Sequence, residues 1–108
     1  MTTLTAKQRM KLKGLAHSLK PILYIGKEGV TESMVRAVEN AFNTREILKV
    51  KVQDGAPESA DESGEILANR VKGAHLVQVI GRTVVLYRPH PDAPKIELPH
   101  SKSQPEDS

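Results

Sequence analysis

Apolar residues change their spacing several times along this chain, and each change marks the boundary of an expected element. Thr5 followed three residues later by Gln8 is a capping-box pattern, so a helix is expected from about Ala6 to His17 with Leu12, Leu15, Ala16 and Leu19 as its apolar stripe. Pro21 interrupts that helix, and the continuous apolar run Ile22-Leu23-Tyr24-Ile25 suits a strand buried on both faces. Gly26 and Gly29 then punctuate a turn. Met34, Val35, Val38, Ala41 and Phe42 recur at helical spacing across Thr31–Phe42, opposite Glu32, Arg36, Glu39 and Asn40, which makes this the clearest amphipathic helix in the sequence. Ile47 to Val52 alternates apolar residues with Lys49 and Lys51, the pattern of a strand with one wet face.

After the loop residues Asp54, Gly55 and Pro57, a third helix is expected from Glu58 to Lys72, with Ile66, Leu67 and Val71 towards the core and Gly73 as its stop. Gly64 argues against that helix, because glycine weakens a helix interior. Leu76–Ile80 and Thr83–Tyr87 are β-branched runs joined by Gly81-Arg82, a two-residue type II′ hairpin connection. The order helix-strand-helix-strand-helix-strand-strand predicts an α/β (α+β) domain over residues 1–88, with parallel strands linked by right-handed crossovers before a closing hairpin. Residues 89–108 hold Pro89, Pro91, Pro94 and Pro99 among polar residues and read as a tail that packs no core, although 95–98 can add a short edge strand.

The length of 108 residues suits one domain, and with only Tyr24, Phe42 and Tyr87 as aromatics its core must be aliphatic. Cysteine is absent, which excludes disulfides, thiolate metal sites and thiol nucleophiles. No apolar run reaches a membrane span and the N-terminus lacks a secretory pattern, so a cytoplasmic protein is expected. The net charge of +3 conceals a polarity: Lys7, Arg9, Lys11, Lys13, Lys20 and Lys27 all precede the first acidic residue, Glu28. From Asp54 onward nine acidic side chains face six basic ones. Such a division points to one surface made for a polyanion, though lysines also serve solubility.

Gly26-Lys27-Glu28-Gly29, between a strand and a helix start, is the most informative local motif. Without β-carbons the backbone can approach a sugar-phosphate chain, and the helix start behind it can offer amide donors. Taken alone, the same four residues are more often a plain strand-to-helix turn that needs glycine for its dihedrals. Arg82 at the hairpin tip and Arg88 at the end of the last strand are candidate phosphate contacts or rim charges. Tyr24 and Tyr87 are candidates for base stacking or for the core. No phosphate loop, GxSxG or HExxH pattern occurs, and His17, His75, His90 and His100 are too scattered for a metal motif, so neither enzyme nor cofactor is expected.

Four ordered blocks together carry a family resemblance: Leu12-Lys13-Gly14-Leu15-Ala16-His17 with Lys20-Pro21, Gly26-Lys27-Glu28-Gly29-Val30-Thr31, Glu46-Ile47-Leu48-Lys49-Val50, and Val79-Ile80-Gly81-Arg82-Thr83-Val84-Val85-Leu86-Tyr87-Arg88. Across about residues 4–88 the chain resembles the CRM domain, the RNA-binding module named for chloroplast RNA splicing and ribosome maturation, in its stand-alone bacterial YhbY-type form. The resemblance implies a mixed four-stranded sheet packed with helices, similar to the C-terminal domain of translation initiation factor 3. It also implies RNA contact through the Gly-x-x-Gly loop, with ribosomal RNA in large-subunit (50S) precursors as partner. Carried over by position, Gly26 and Gly29 shape the loop, Lys27 meets phosphate, and Lys13, Lys20 and Arg88 extend the surface. Lys7, Lys11 and Arg82 complete the candidate RNA-binding set on charge and placement. Glu28 departs from the basic or neutral residue usual in the family, and its carboxylate repels phosphate unless it turns away or pairs. The expectation is a monomeric, non-catalytic ribosome assembly factor, with a small basic DNA-binding protein and a protein-interaction adaptor as the rival readings.

Overall fold

The computed structural model describes residues 4–99, folded as α1 (Ala6–Ala16), β1 (Leu23–Ile25), α2 (Glu32–Ala41), β2 (Ile47–Val52), α3 (Ala60–Arg70), β3 (His75–Ile80) and β4 (Thr83–Tyr87). The element order is the expected one. Helix starts are set by local side chains: the Thr5 hydroxyl accepts from the Gln8 amide while the Gln8 side chain accepts from the Thr5 amide. Ser59 and Glu62 form a second such box, and it starts α3 later than the expected position at Glu58.

The sheet order is β1-β2-β4-β3, with β1 parallel to β2 and β4 antiparallel to both neighbours. Adjacent parallel pairing is therefore confined to β1 and β2. Helix α3 carries the chain from β2 to the far edge, and β4 folds back into the gap between β2 and β3. The fold-back is the expected two-residue connection, with Gly81 at φ 58° and Arg82 outside the positive region, as a type II′ turn requires.

Period-two alternation divides the sheet into two faces. Ile25, Leu48, Val50, Val52, Val84 and Leu86 meet Val35, Val38 and Phe42 from α2 and its end, and Leu67 and Val71 from α3. On the opposite face Val77, Val85 and Tyr87 meet Leu12 and Ala16 of α1. Gly64 is required by close approach: a β-carbon there would lie 2.8 Å from Leu76 Cδ1 and 3.1 Å from Val84 Cγ1. The residue that argued against α3 is thus the one that lets it sit down on β3 and β4. Of the three residues expected to face the core from this helix, Leu67 and Val71 are buried and Ile66 is only half-buried.

Three expectations are corrected. Strand β1 is not buried on both faces; as an edge strand beyond the reach of α1 it leaves Tyr24 and Ile22 exposed. The apolar stripe of α1 is narrower than expected, because one helix meets the sheet along one row; Leu12 and Ala16 are buried, while Leu15 and Leu19 are exposed. Segment 89–99 is not a detached tail. Ile96 and Leu98 pack against the α1 cluster, yet residues 95–98 form no strand. The Glu46 carboxylate holds this segment instead, accepting from the amides of His90 (2.7 Å), Lys95 (2.9 Å) and Ile96 (2.8 Å). Residues 1–3 and 100–108, with His100 among them, lie outside the described residues.

Candidate functional site

The cations of the N-terminal region have different structural fates. Arg9 is a fold residue: its guanidinium donates to the carbonyls of Leu76 (2.7 Å) and Val77 (2.8 Å), at the register shift that separates Leu76 from Gln78. Lys7, Lys11, Lys13 and Lys20 are exposed, and α1 carries no acidic residue. Lys11 also donates to the Glu97 carbonyl and so helps hold segment 89–99. Lys13 lines a groove under α1 together with Gly14, His17, Lys49, Gln78 and Ile80.

At Gly26–Gly29 the chain makes a tight turn closed by the Gly29 amide donating to the Gly26 carbonyl, 3.0 Å. Gly26 and exposed Lys27 stand at the open side of the turn, whereas Gly29 is buried. Gly29 has φ 73°, and a β-carbon there would collide with Glu58 Oε1 and lie 2.8 Å from Pro57 Cγ. That glycine is accounted for by packing against the 57–58 loop. Two of the amide donors expected behind the turn have internal partners: Thr31 Oγ1 accepts from the Met34 amide at 3.1 Å, and Glu58 Oε1 from the Val30 amide at 3.4 Å. Glu28 is exposed and, among the described residues, makes no ion pair.

The two arginines are not brought together. Arg82 pairs with Asp54 at the end of the sheet that carries the Gly26–Gly29 turn. Arg88 follows the opposite end of β4, where its guanidinium lies 5.2 Å from the centre of the Phe42 ring. With the five residues of β4 between them, the two lie roughly 20 Å apart along the strand.

The structure joins Tyr24, already a stacking candidate, to three residues that the sequence-derived set did not include. Strand pairing aligns Tyr24 with Lys51, Lys51 with Thr83, and Thr83 with Ile80, so these four side chains form one row across the whole sheet. Tyr24 is 51% exposed, Ile80 52%, and Lys51 is exposed. Lys49 stands in the next row, its ammonium donating to the Leu19 carbonyl at 2.9 Å. Tyr87, the other stacking candidate, is 4% exposed and belongs to the core. The signal for the row was legible as the lysine alternation of β2; its neighbours needed the register.

A family model described as the CRS1 / YhbY (CRM) domain matches residues 4–88. The chain belongs to the CRM domain family. A Haemophilus influenzae relative named "RNA-binding protein" is 44% identical over 99 residues, covering 92% of this chain and 98% of its own. The Bacillus subtilis protein named "Probable RNA-binding protein YqeI" is 41% identical over 98 residues, covering 89% and 99%. The solution structure of protein SAV1595 from Staphylococcus aureus superimposes with a TM-score of 0.74 at 38% identity, covering 90% of this chain and all of that one.

The CRM match ends at Arg88, so the segment fastened by Glu46 lies outside it. Burial alone would raise the carboxyl pKa of Glu46, but the His90, Ile96 and Lys95 amides outweigh it and hold the group below its ordinary value. Burial and the nearby Arg9 charge lower the pKa of His75, whose ring stacks on Tyr87 with centroids 6.1 Å apart. Among the described residues of this CRM domain, no cluster of three or more His, Cys, Asp or Glu is placed to hold a metal ion, and no helix is long and apolar enough to cross a membrane.

Proposed function

We propose that the protein binds RNA, and that its target is ribosomal RNA in large-subunit precursors, which it serves as a monomeric, non-catalytic assembly factor in the cytoplasm. The observation that carries this reading is the exposure of Lys7, Lys11 and Lys13 on a helix without an acidic residue, and of Lys20, Lys27 and Lys51 beyond it, in a domain whose relatives are named for RNA binding. Gly26, Gly29 and Lys27 form the turn at one end of that surface. Arg82 at the turn's end of the sheet and Arg88 at the opposite end are further contributors, each already engaged by the protein itself. Contacts of this kind read phosphate and shape rather than base sequence.

With about six phosphate contacts to single-stranded RNA, the logarithm of affinity should fall against the logarithm of salt with a slope of roughly −4. Lys13→Gln combined with Lys27→Gln should make that slope shallower by about 1.4, with folding unchanged. In lysate gradients the wild type should sediment with large-subunit precursors and return to the top after ribonuclease treatment. Sedimentation that survives the nuclease supports the adaptor reading, and preference for duplex DNA in competition supports the DNA-binding one. A wild type that stays at the top in both gradients removes the ribosomal assignment.

A further inference from the structure

Helix α1 leaves part of its face of the sheet uncovered. Leu12 and Ala16 pack with Tyr87 of the row that pairs Ile47, Tyr87 and His75 and with Val85 of the next row, and Ile96 and Leu98 pack against the same cluster. The row Tyr24-Lys51-Thr83-Ile80 is left open, and it spans roughly 14 Å at the usual strand spacing. Tyr24 at one edge of the row and Ile80 at the other are each about half exposed, and the exposed Lys51 stands between them. The row itself contains no acidic side chain, and the adjoining groove is lined by Lys13, His17, Lys49 and Gln78 without a carboxylate. Positive charge around an aromatic face suits an anionic strand carrying unpaired bases: the ring offers a stacking surface and the ammonium groups meet the phosphates on either side. A duplex presents no free base face to such a ring.

Building on the RNA-binding reading, we propose that this open row is a stacking platform for unpaired bases of single-stranded RNA, with Tyr24 as the stacking ring and Lys51 and Lys13 as the flanking phosphate contacts. The platform adjoins the Gly26–Gly29 turn, because β1 runs from Tyr24 directly into it. It takes its specificity for single strands from the ring, while the lysines supply affinity for any nucleic acid.

The test uses the full chain with a labelled 12-nucleotide single-stranded RNA and with the same strand annealed to its complement. Tyr24→Leu should weaken single-strand binding about tenfold, the scale of one lost base stack, leave the salt slope unchanged and leave duplex binding unchanged. Tyr24→Phe should restore wild-type affinity. Because the chain has two tyrosines and one of them is buried, the Tyr24 ring protons can be followed by NMR, and they should move upfield on adding the single strand. Equal thermal stability of the variants checks that folding is intact. If Tyr24→Leu binds the single strand as the wild type does while Lys13→Gln weakens it, RNA binding stands and the platform is overturned. If the wild type binds neither RNA, the RNA-binding reading fails and the platform with it.

Discussion

Gly29→Ala should destabilise the protein by about 3 kcal/mol, whereas Gly26→Ala, three residues away in the same turn, should change stability by less than about 0.5 kcal/mol. The two glycines look alike in sequence and differ in what surrounds them. At Gly29 the backbone is left-handed, φ 73°, a conformation that costs a side-chain-bearing residue about 1–2 kcal/mol. The added methyl would also stand 2.8 Å from Pro57 Cγ, and a proline ring cannot swing aside as the nearby Glu58 carboxylate can. Overpacking against a stiff neighbour typically adds about 1–3 kcal/mol. At Gly26 the nearest atom to a new β-carbon is Gln53 Oε1 at 3.5 Å, ordinary contact distance, and φ is not in the left-handed region. Urea denaturation of the two variants measures the difference. Gly26→Ala also isolates the ligand question: weaker RNA binding by that folded variant would show that the missing β-carbon at position 26 serves the RNA. A stable Gly29→Ala that has lost RNA binding would instead overturn the packing account of Gly29.

Element order was legible because it depends on short-range patterns that this chain writes clearly: the Thr5–Gln8 box, the helical spacing of Met34 to Phe42, and the Gly81-Arg82 connection. The layer assignment was less so. Ile22 to Ile25 reads as doubly buried because apolar content does not reveal whether a strand is central or at an edge, and here the sheet order puts β1 at the edge. Gly64 looked like a defect because its compensation, the approach of Leu76 and Val84, comes from strands later in the chain. The basic surface was visible as a run of lysines without acids. Charge alone could not tell Arg9, which ties α1 to two strand carbonyls, from Lys13, which faces a groove. Nor could it show that Arg82 and Arg88 occupy opposite ends of one strand. Tyr24 and Lys51 lie far apart in sequence and meet only through the parallel register of β1 on β2, which no local pattern specifies.

Glu46→Ala should cost about 2–3 kcal/mol and release residues 89–99 from α1, because one carboxylate is the acceptor for three amides of that segment. The loss is bounded by the freedom of the segment: once detached, its amides return to water instead of remaining buried without partners. Detachment removes Ile96 and Leu98 from the apolar cluster under α1 and breaks the Lys11 contact to the Glu97 carbonyl. Hydrogen exchange at the His90, Lys95 and Ile96 amides should therefore accelerate far more than exchange in β2 or β4. The charge gives the same anchor a pH dependence. Since folding lowers the Glu46 pKa, its contribution is fully present above the ordinary carboxylate range and is lost as pH falls through the lowered folded value. His75, also lowered, adds a separate loss beginning at the ordinary histidine value of 6.5, where the unfolded chain takes up a proton that the folded one resists. Glu46→Gln keeps an acceptor for one side of the anchor but turns an amino group towards the other, so it should fall between wild type and Ala in stability. In an acid titration of unfolding free energy, that variant should keep the step near the histidine range and lose the one in the carboxylate range. If segment 89–99 stays protected in Glu46→Ala, the apolar contacts of Ile96 and Leu98 hold it unaided and the carboxylate anchor is refuted.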